Sequence, residues 1–169
     1  MAKWEIYQRP PSVVLGFHGT QTITVRELVN QRYPHLDPSK HPYDWLSHGV
    51  YFWENDPQRA FEWANEKKLS DPDILGAIID LGLCLDMNTR MGCDEVRAAY
   101  EGYKNSLWDK RLPKNKVGPD LLCRELDCSV IMYLHHLREE MNMPAYDSVR
   151  ASFPESNPLY QGAGFRQKN

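Results

Sequence analysis

Two short stretches constrain this chain more than any others. Val13-Val14-Leu15 is an apolar, β-branched run that stops at Gly16, and Phe17, His18, Gly19 and Thr20 follow at once. Later, the polar turn Ser47-His48-Gly49 opens into Val50-Tyr51-Phe52-Trp53, a β-branched and aromatic run with strong strand preference. Each stretch reads as the end of a strand, the first running from Val13 to Phe17. Behind the second, Asp56 offers an N-cap carboxylate and Pro57 stands at the first helical position, so Gln58 to Ala64 continues as a helix.

The rest of the chain fills in around these stretches. Lys3 to Gln8 alternates polar and apolar residues, as a short strand or ordered arm does, and Pro10-Pro11 ends it. Thr24 to Glu27 has the form of a capping box, leading into Leu28-Val29 and a short helix that ends near Tyr33-Pro34. Residues 34–48 are loop, with His35, Asp37, Lys40, His41 and the run Tyr43-Asp44-Trp45-Leu46; its aromatics either plug the loop onto the core or line a ligand slot. The helix from Pro57 reaches about Lys68, with Ala60, Phe61 and Ala64 on one face and Trp63 off it. Ile74 to Met87 is a long apolar run. Its Ile78-Ile79 pair and its glycines, Gly76 and Gly82, favour strand with a bend or bulge.

Asp94 to about Leu107 has helical spacing, with Val96, Ala99, Tyr100 and Tyr103 on one side. Lys110, Arg111, Lys114 and Lys116 form a basic loop around Pro113. Such loops are commonly just solvated, and this one is also the best candidate for contacting a polyanionic substrate. Pro119-Asp120 reads as the start of the longest helix, since Leu122, Leu126, Val130, Leu134, Leu137 and Met141 keep helical spacing. His135-His136 suit the negative end of that helix as surface groups, with ligation the rarer alternative. Pro144 stops it, Ala145 to Arg150 reads as a strand, and the tail from Pro158 to Asn169 is glycine-rich and polar.

Composition bounds the class. At 169 residues the expectation is a single domain, long enough to bury a core. Apolar residues at 41% and charged residues at 25% are ordinary for a soluble globular protein, and no apolar run reaches transmembrane length. The first residues lack a signal-peptide core, so a cytoplasmic location with no membrane association is expected. A net charge of -3 argues against a broad basic face for nucleic acid and leaves a local patch open. Cys84, Cys93, Cys123 and Cys128 contain no C-x-x-C pair, so reduced, mostly buried thiols are expected, with no disulfide and no bound metal.

His18-Gly19-Thr20 followed by Gly49-Val50-Tyr51-Phe52 and a helix carrying Ala60 and Trp63 resembles the ADP-ribosyltransferase family, in its poly-ADP-ribose-polymerase-like branch. The match covers residues 13–64. The resemblance implies an α+β ADP-ribosyltransferase-like fold, with central β-sheets around an NAD cleft and flanking helices. It implies transfer of ADP-ribose from NAD to a macromolecular target with release of nicotinamide. The reaction passes through an oxocarbenium-like ribose, so the protein must hold the carboxamide, clamp the ribose and stabilise positive charge. By resemblance His18 and Tyr51 are the catalytic residues, His18 on a ribose hydroxyl and Tyr51 as the ring stacked on nicotinamide. Gly19 and Thr20 hold the carboxamide, and Trp63 could cover the other face. NAD enters as substrate. The small size fits a toxin or defence effector, with an antitoxin or immunity protein as the implied partner and a protein or nucleic acid as acceptor.

The family also places a Glu or Gln on a late strand. Glu155, Gln161 and Gln167 are the candidates here, and none falls in a stretch that reads as a strand. The third role therefore falls to one of these, or lies beyond Asn169 in a domain lacking its last strand or strands. The first alternative is a module that binds NAD or ADP-ribose without transferring it and acts through a partner protein; an RNA 2'-phosphotransferase and a plain interaction domain rank below it.

Overall fold

The structure is a computed structural model that describes residues 13–32, 34–107, 111–116, 123–158, 161 and 166–168. It is mixed α+β. The chain forms two compact units, each made of interleaved segments: one from Pro11–Asp37, Val50–Asp80 and Ser152–Asn169, the other including Pro38–Gly49 and Leu81–Ala151. The expected arm over residues 3–8, Tyr33, Lys110 and the expected helix start at Pro119-Asp120 with Leu122 lie outside the described residues.

The first unit is built on a three-stranded antiparallel sheet of order β2-β1-β3: β1 Val13–Gln21, β2 Trp53–Glu54 and β3 Pro72–Asp80. β1 does not end at Phe17. It pairs with β3 along its whole length, from Val13 opposite Asp80 to Gln21 opposite Pro72, so His18, Gly19 and Thr20 lie inside the strand. Its glycines answer to packing. A Cβ on Gly16 would lie 3.0 Å from that of Phe52, and one on Gly19 would lie 2.1 Å from the Ala60 carbonyl oxygen. The second expected strand is also corrected. Only Trp53 and Glu54 enter the ladder, because the Tyr51 carbonyl is taken by a side chain of β1 rather than by a neighbouring strand.

Helix α1, Thr22–Val29, follows β1 directly. The Thr24–Glu27 capping box is not used, since the helix begins two residues earlier, where the Thr22 amide donates to the Asp71 carbonyl. Helix α2, Pro57–Glu66, starts as expected: the Asp56 carboxylate accepts from the Arg59 amide at 2.9 Å. Ala60 and Ala64 are fully buried, while Phe61 is exposed.

In the second unit the apolar run bends where expected. Gly82 has φ +56, with the Asp147 carboxylate seated against it and accepting from the Leu83 amide at 2.7 Å. β4, Cys84–Asp86, follows, and Thr89 caps helix α3, Arg90–Ser106, which starts one turn before Asp94. Helix α4 is Glu125–Glu140, shorter than α3 and not begun at Pro119, since Cys123 and Arg124 are non-helical. β5, Ser148–Arg150, pairs parallel with β4. Leu85, Ala99, Val130 and Leu134 form the core of this unit, with Val96, Tyr100, Tyr103, Leu126, Tyr146 and Val149 packed on it. Met141 lies past the end of α4 and is exposed.

The polar tail and the residues just before it form an antiparallel ribbon, β6 Pro154–Pro158 and β7 Arg166–Lys168. Glu155 and Gln167 therefore do stand on strands, contrary to the expectation from sequence: backbone pairing needs no apolar pattern when a ribbon is formed by two segments close in the chain. None of the four cysteines is in a disulfide. Among the described residues no helix is long and apolar enough to cross a membrane.

Candidate functional site

The two halves of the sequence motif meet in the first unit. His18 Nδ1 lies 2.8 Å from the carbonyl oxygen of Tyr51, 33 residues away in the chain. A carbonyl only accepts, so the Nδ1–H donates to it, and in the neutral ring Nε2 is left as an acceptor. Burial holds the imidazole below its ordinary pKa, and the Tyr51 hydrogen bond pulls the other way without winning. The ring also lies tilted against Phe52, with centroids 5.7 Å apart. His18 is therefore a neutral, oriented imidazole that ties β1 to the segment carrying Tyr51.

Strand alternation sorts the remaining residues by face. Thr20, two residues from His18, shares its side of the sheet. Phe17 and Gly19 have the other side, where α2 packs: the missing Cβ of Gly19 points at Ala60. Trp53 stands opposite Phe17 in the ladder and so shares the α2 side. Trp63 packs on Trp53, with centroids 5.6 Å apart. The Arg59 guanidinium lies 5.6 Å from the Trp53 ring and 5.9 Å from the Trp63 ring, and the Lys67 ammonium stands 4.6 Å over Trp63. Arg59 is itself buried and pairs with Glu66 at 3.3 Å. The structure thus joins His18 to the Tyr51 backbone, puts Thr20 on the same face of the sheet as His18, and sets Trp63 on the opposite face. It gives the absent side chain of Gly19 a packing reason, the close approach of α2 to β1.

Of the candidates for a third residue, Glu155 is on β6, Gln167 is on β7 and Gln161 is in the turn between them. That ribbon is a separate sheet from the one carrying His18.

Sequence reasoning missed a charged network in the second unit. Arg138 is buried and donates to Glu95 at 3.0 Å, to the Tyr146 hydroxyl at 3.2 Å and to the Pro144 carbonyl at 2.8 Å, while its guanidinium stacks 4.0 Å over the Tyr146 ring. Burial, with help from Glu95, pushes the Tyr146 hydroxyl well above the usual phenol range. Beside it, buried Asp86 pairs with Arg150 at 3.2 Å. Glu95, Arg138, Tyr146, Cys84 and Asp86 line a cavity of about 210 Å³. Each of these cations has its anion, so the network reads as internal support. The one sequence signal was a pair of arginines placed among core positions. His136, as expected of a surface group, is exposed and pairs with Glu140 at 3.3 Å. Among the described residues no cluster of His, Cys, Asp and Glu could hold a metal ion.

Comparison of the chain with protein-family models, with curated proteins and with solved structures finds no match.

Proposed function

We propose that the chain is an NAD-dependent ADP-ribosyltransferase of the poly-ADP-ribose-polymerase-like type, moving ADP-ribose to a macromolecular acceptor and releasing nicotinamide. The observation that carries the reading is the His18–Tyr51 hydrogen bond, which joins the two motif segments and leaves Nε2 as an acceptor. A neutral imidazole so held suits a ribose hydroxyl, which donates to Nε2. It also avoids placing a cation beside a ribose that becomes positive in the transition state. Thr20, on the same face, supplies a hydroxyl with donor and acceptor capacity for a carboxamide. Tyr51 supplies the stacking ring. Trp63 has no part in this reading, because it is committed to Trp53 and Arg59 on the opposite face.

A non-catalytic NAD-binding module is the second reading. It is favoured by one observation: Glu155 and Gln167 stand on a ribbon separate from the sheet of His18. Nicotinamide release from NAD decides between the two. Turnover that drops about 100-fold or more in His18→Ala and in Tyr51→Ala supports the transferase. Trp63→Ala, where it folds, is expected to keep turnover. Binding of NAD with no release of nicotinamide would establish the module instead.

A further inference from the structure

Two loops that the sequence keeps seventy positions apart converge in the second unit at the start of α4. The Arg124 amide donates to the Tyr43 carbonyl at 3.2 Å, and the Lys116 amide donates to the Cys123 carbonyl at 2.9 Å. Asn115 Oδ1 accepts from the Leu126 amide at 3.1 Å and its Nδ2 donates to Asp127 at 2.8 Å. The aromatic loop and the basic loop are thereby pinned to the same helix end. Lys40, Arg111, Lys114 and Lys116 are exposed there. His41 and Tyr43 are exposed too, and their rings are stacked, 4.9 Å between centroids and 3° between planes. The Arg124 guanidinium lies 5.4 Å over the Trp45 ring, and its Nε is buried without a hydrogen-bond partner.

Acidic groups in the same place are engaged internally. Asp44 accepts from Ser39 at 2.9 Å and from the His41 amide at 3.0 Å, Asp127 is held by Asn115 and Arg124, and Glu125 faces the Cys123 thiol. What the two loops expose is the side chains of Lys40, Arg111 and Lys114 and the His41–Tyr43 ring pair. Cations alone would suit any polyanion. Cations with open ring faces suit a strand whose phosphates and unpaired bases are both within reach.

We propose that this face binds single-stranded nucleic acid, a base continuing the His41–Tyr43 stack while Lys40, Arg111 and Lys114 take the phosphates. It names the acceptor class for the transferase proposed above, and in that respect rests on that reading. The chain's net charge of -3 leaves the patch as a local feature. A duplex hides its base faces and offers the stack nothing.

The test is fluorescence anisotropy of the full chain with a labelled single-stranded oligonucleotide and the matching duplex, at low and moderate salt and without NAD. Single strands are expected to bind more tightly than duplex, with affinity falling as salt rises. Tyr43→Ala is expected to weaken binding roughly tenfold. Lys114→Gln and Arg111→Gln are each expected to lower the slope of log affinity against log salt by about 0.7. These are exposed positions, and a thermal melt of each variant checks that the fold is kept. No binding at low salt, or binding that Tyr43→Ala and the charge variants leave unchanged, overturns the proposal. Because NAD is absent, that failure would leave the nicotinamide-release result standing, and failure of nicotinamide release would leave this surface standing.

Discussion

His18 is a base whose folded pKa lies below its ordinary value of 6.5. The unfolded chain therefore takes up a proton that the folded chain resists. The stability tied to the neutral ring is fully present above 6.5 and is lost as pH falls through the lowered folded value. His135, also held down by burial with Arg138 nearby, adds in the same direction. Urea midpoints should therefore fall as pH drops from about 7 towards 5, and His18→Gln should flatten part of that fall. A midpoint independent of pH over this range would contradict the buried neutral state of His18. Gly19 makes a second prediction at this scale. An added methyl would overlap the Ala60 carbonyl, which is backbone and cannot swing away, so Gly19→Ala should cost about 3 kcal/mol or displace α2. Equilibrium unfolding measures it. Both residues stood out in the sequence as glycine and histidine after an apolar run. What was not legible was that the glycine serves a helix some forty positions on.

Helix boundaries followed their caps where the cap was local. Asp56-Pro57 and its helix agreed with the structure because the carboxylate reaches an amide three residues away. α4 was misplaced because its cap is not local: the Asn115 side chain, from the preceding loop, accepts from the amides of both Leu126 and Asp127. Asn115→Ala should lower stability by about 1 kcal/mol, the usual cost of a lost cap. It should also speed amide exchange in the first turn of α4 and leave that of α3 unchanged. Equal protection in the two proteins would sink the capping role. β1 and the Tyr51 segment erred in opposite directions for one reason. Glycines look like strand ends and Val-Tyr-Phe looks like a strand, yet the nine-residue pairing with β3 carries the chain through Gly16 and Gly19. The His18 side chain takes the Tyr51 carbonyl that a ladder would need.

The second unit closes through long loops in the chain. β4 and β5 pair in parallel, Leu85 opposite Val149, and the helices α3 and α4 lie between them in sequence. A chain ending at Asp147 loses the β6–β7 ribbon of the first unit as well as β5, and within the second unit the loss should reach beyond the three residues of β5. β4 would be unpartnered, the Val149 contact with the core would go, and Asp86 would lose Arg150. Loss of near-UV circular dichroism and of slow-exchanging amides in α3 and α4 is the expected result; intact protection would show that β5 is dispensable. Arg138→Met removes the partner of Glu95 and a donor to Tyr146 and should cost about 3 kcal/mol, since breaking a buried pair strands its other member.

The sequence by itself determined the α+β class, the helix started by Asp56-Pro57, the bend at Gly82 and the two motif segments, because those signals lie within a few residues of their effects. Only the tertiary structure decided that β1 runs on through its glycines and that Trp63 lies across the sheet from His18. It alone decided that a loop asparagine caps α4, and that the aromatic and basic loops share one end of that helix. Each of these depends on partners far along the chain, where pairing register and close packing outweigh local preference.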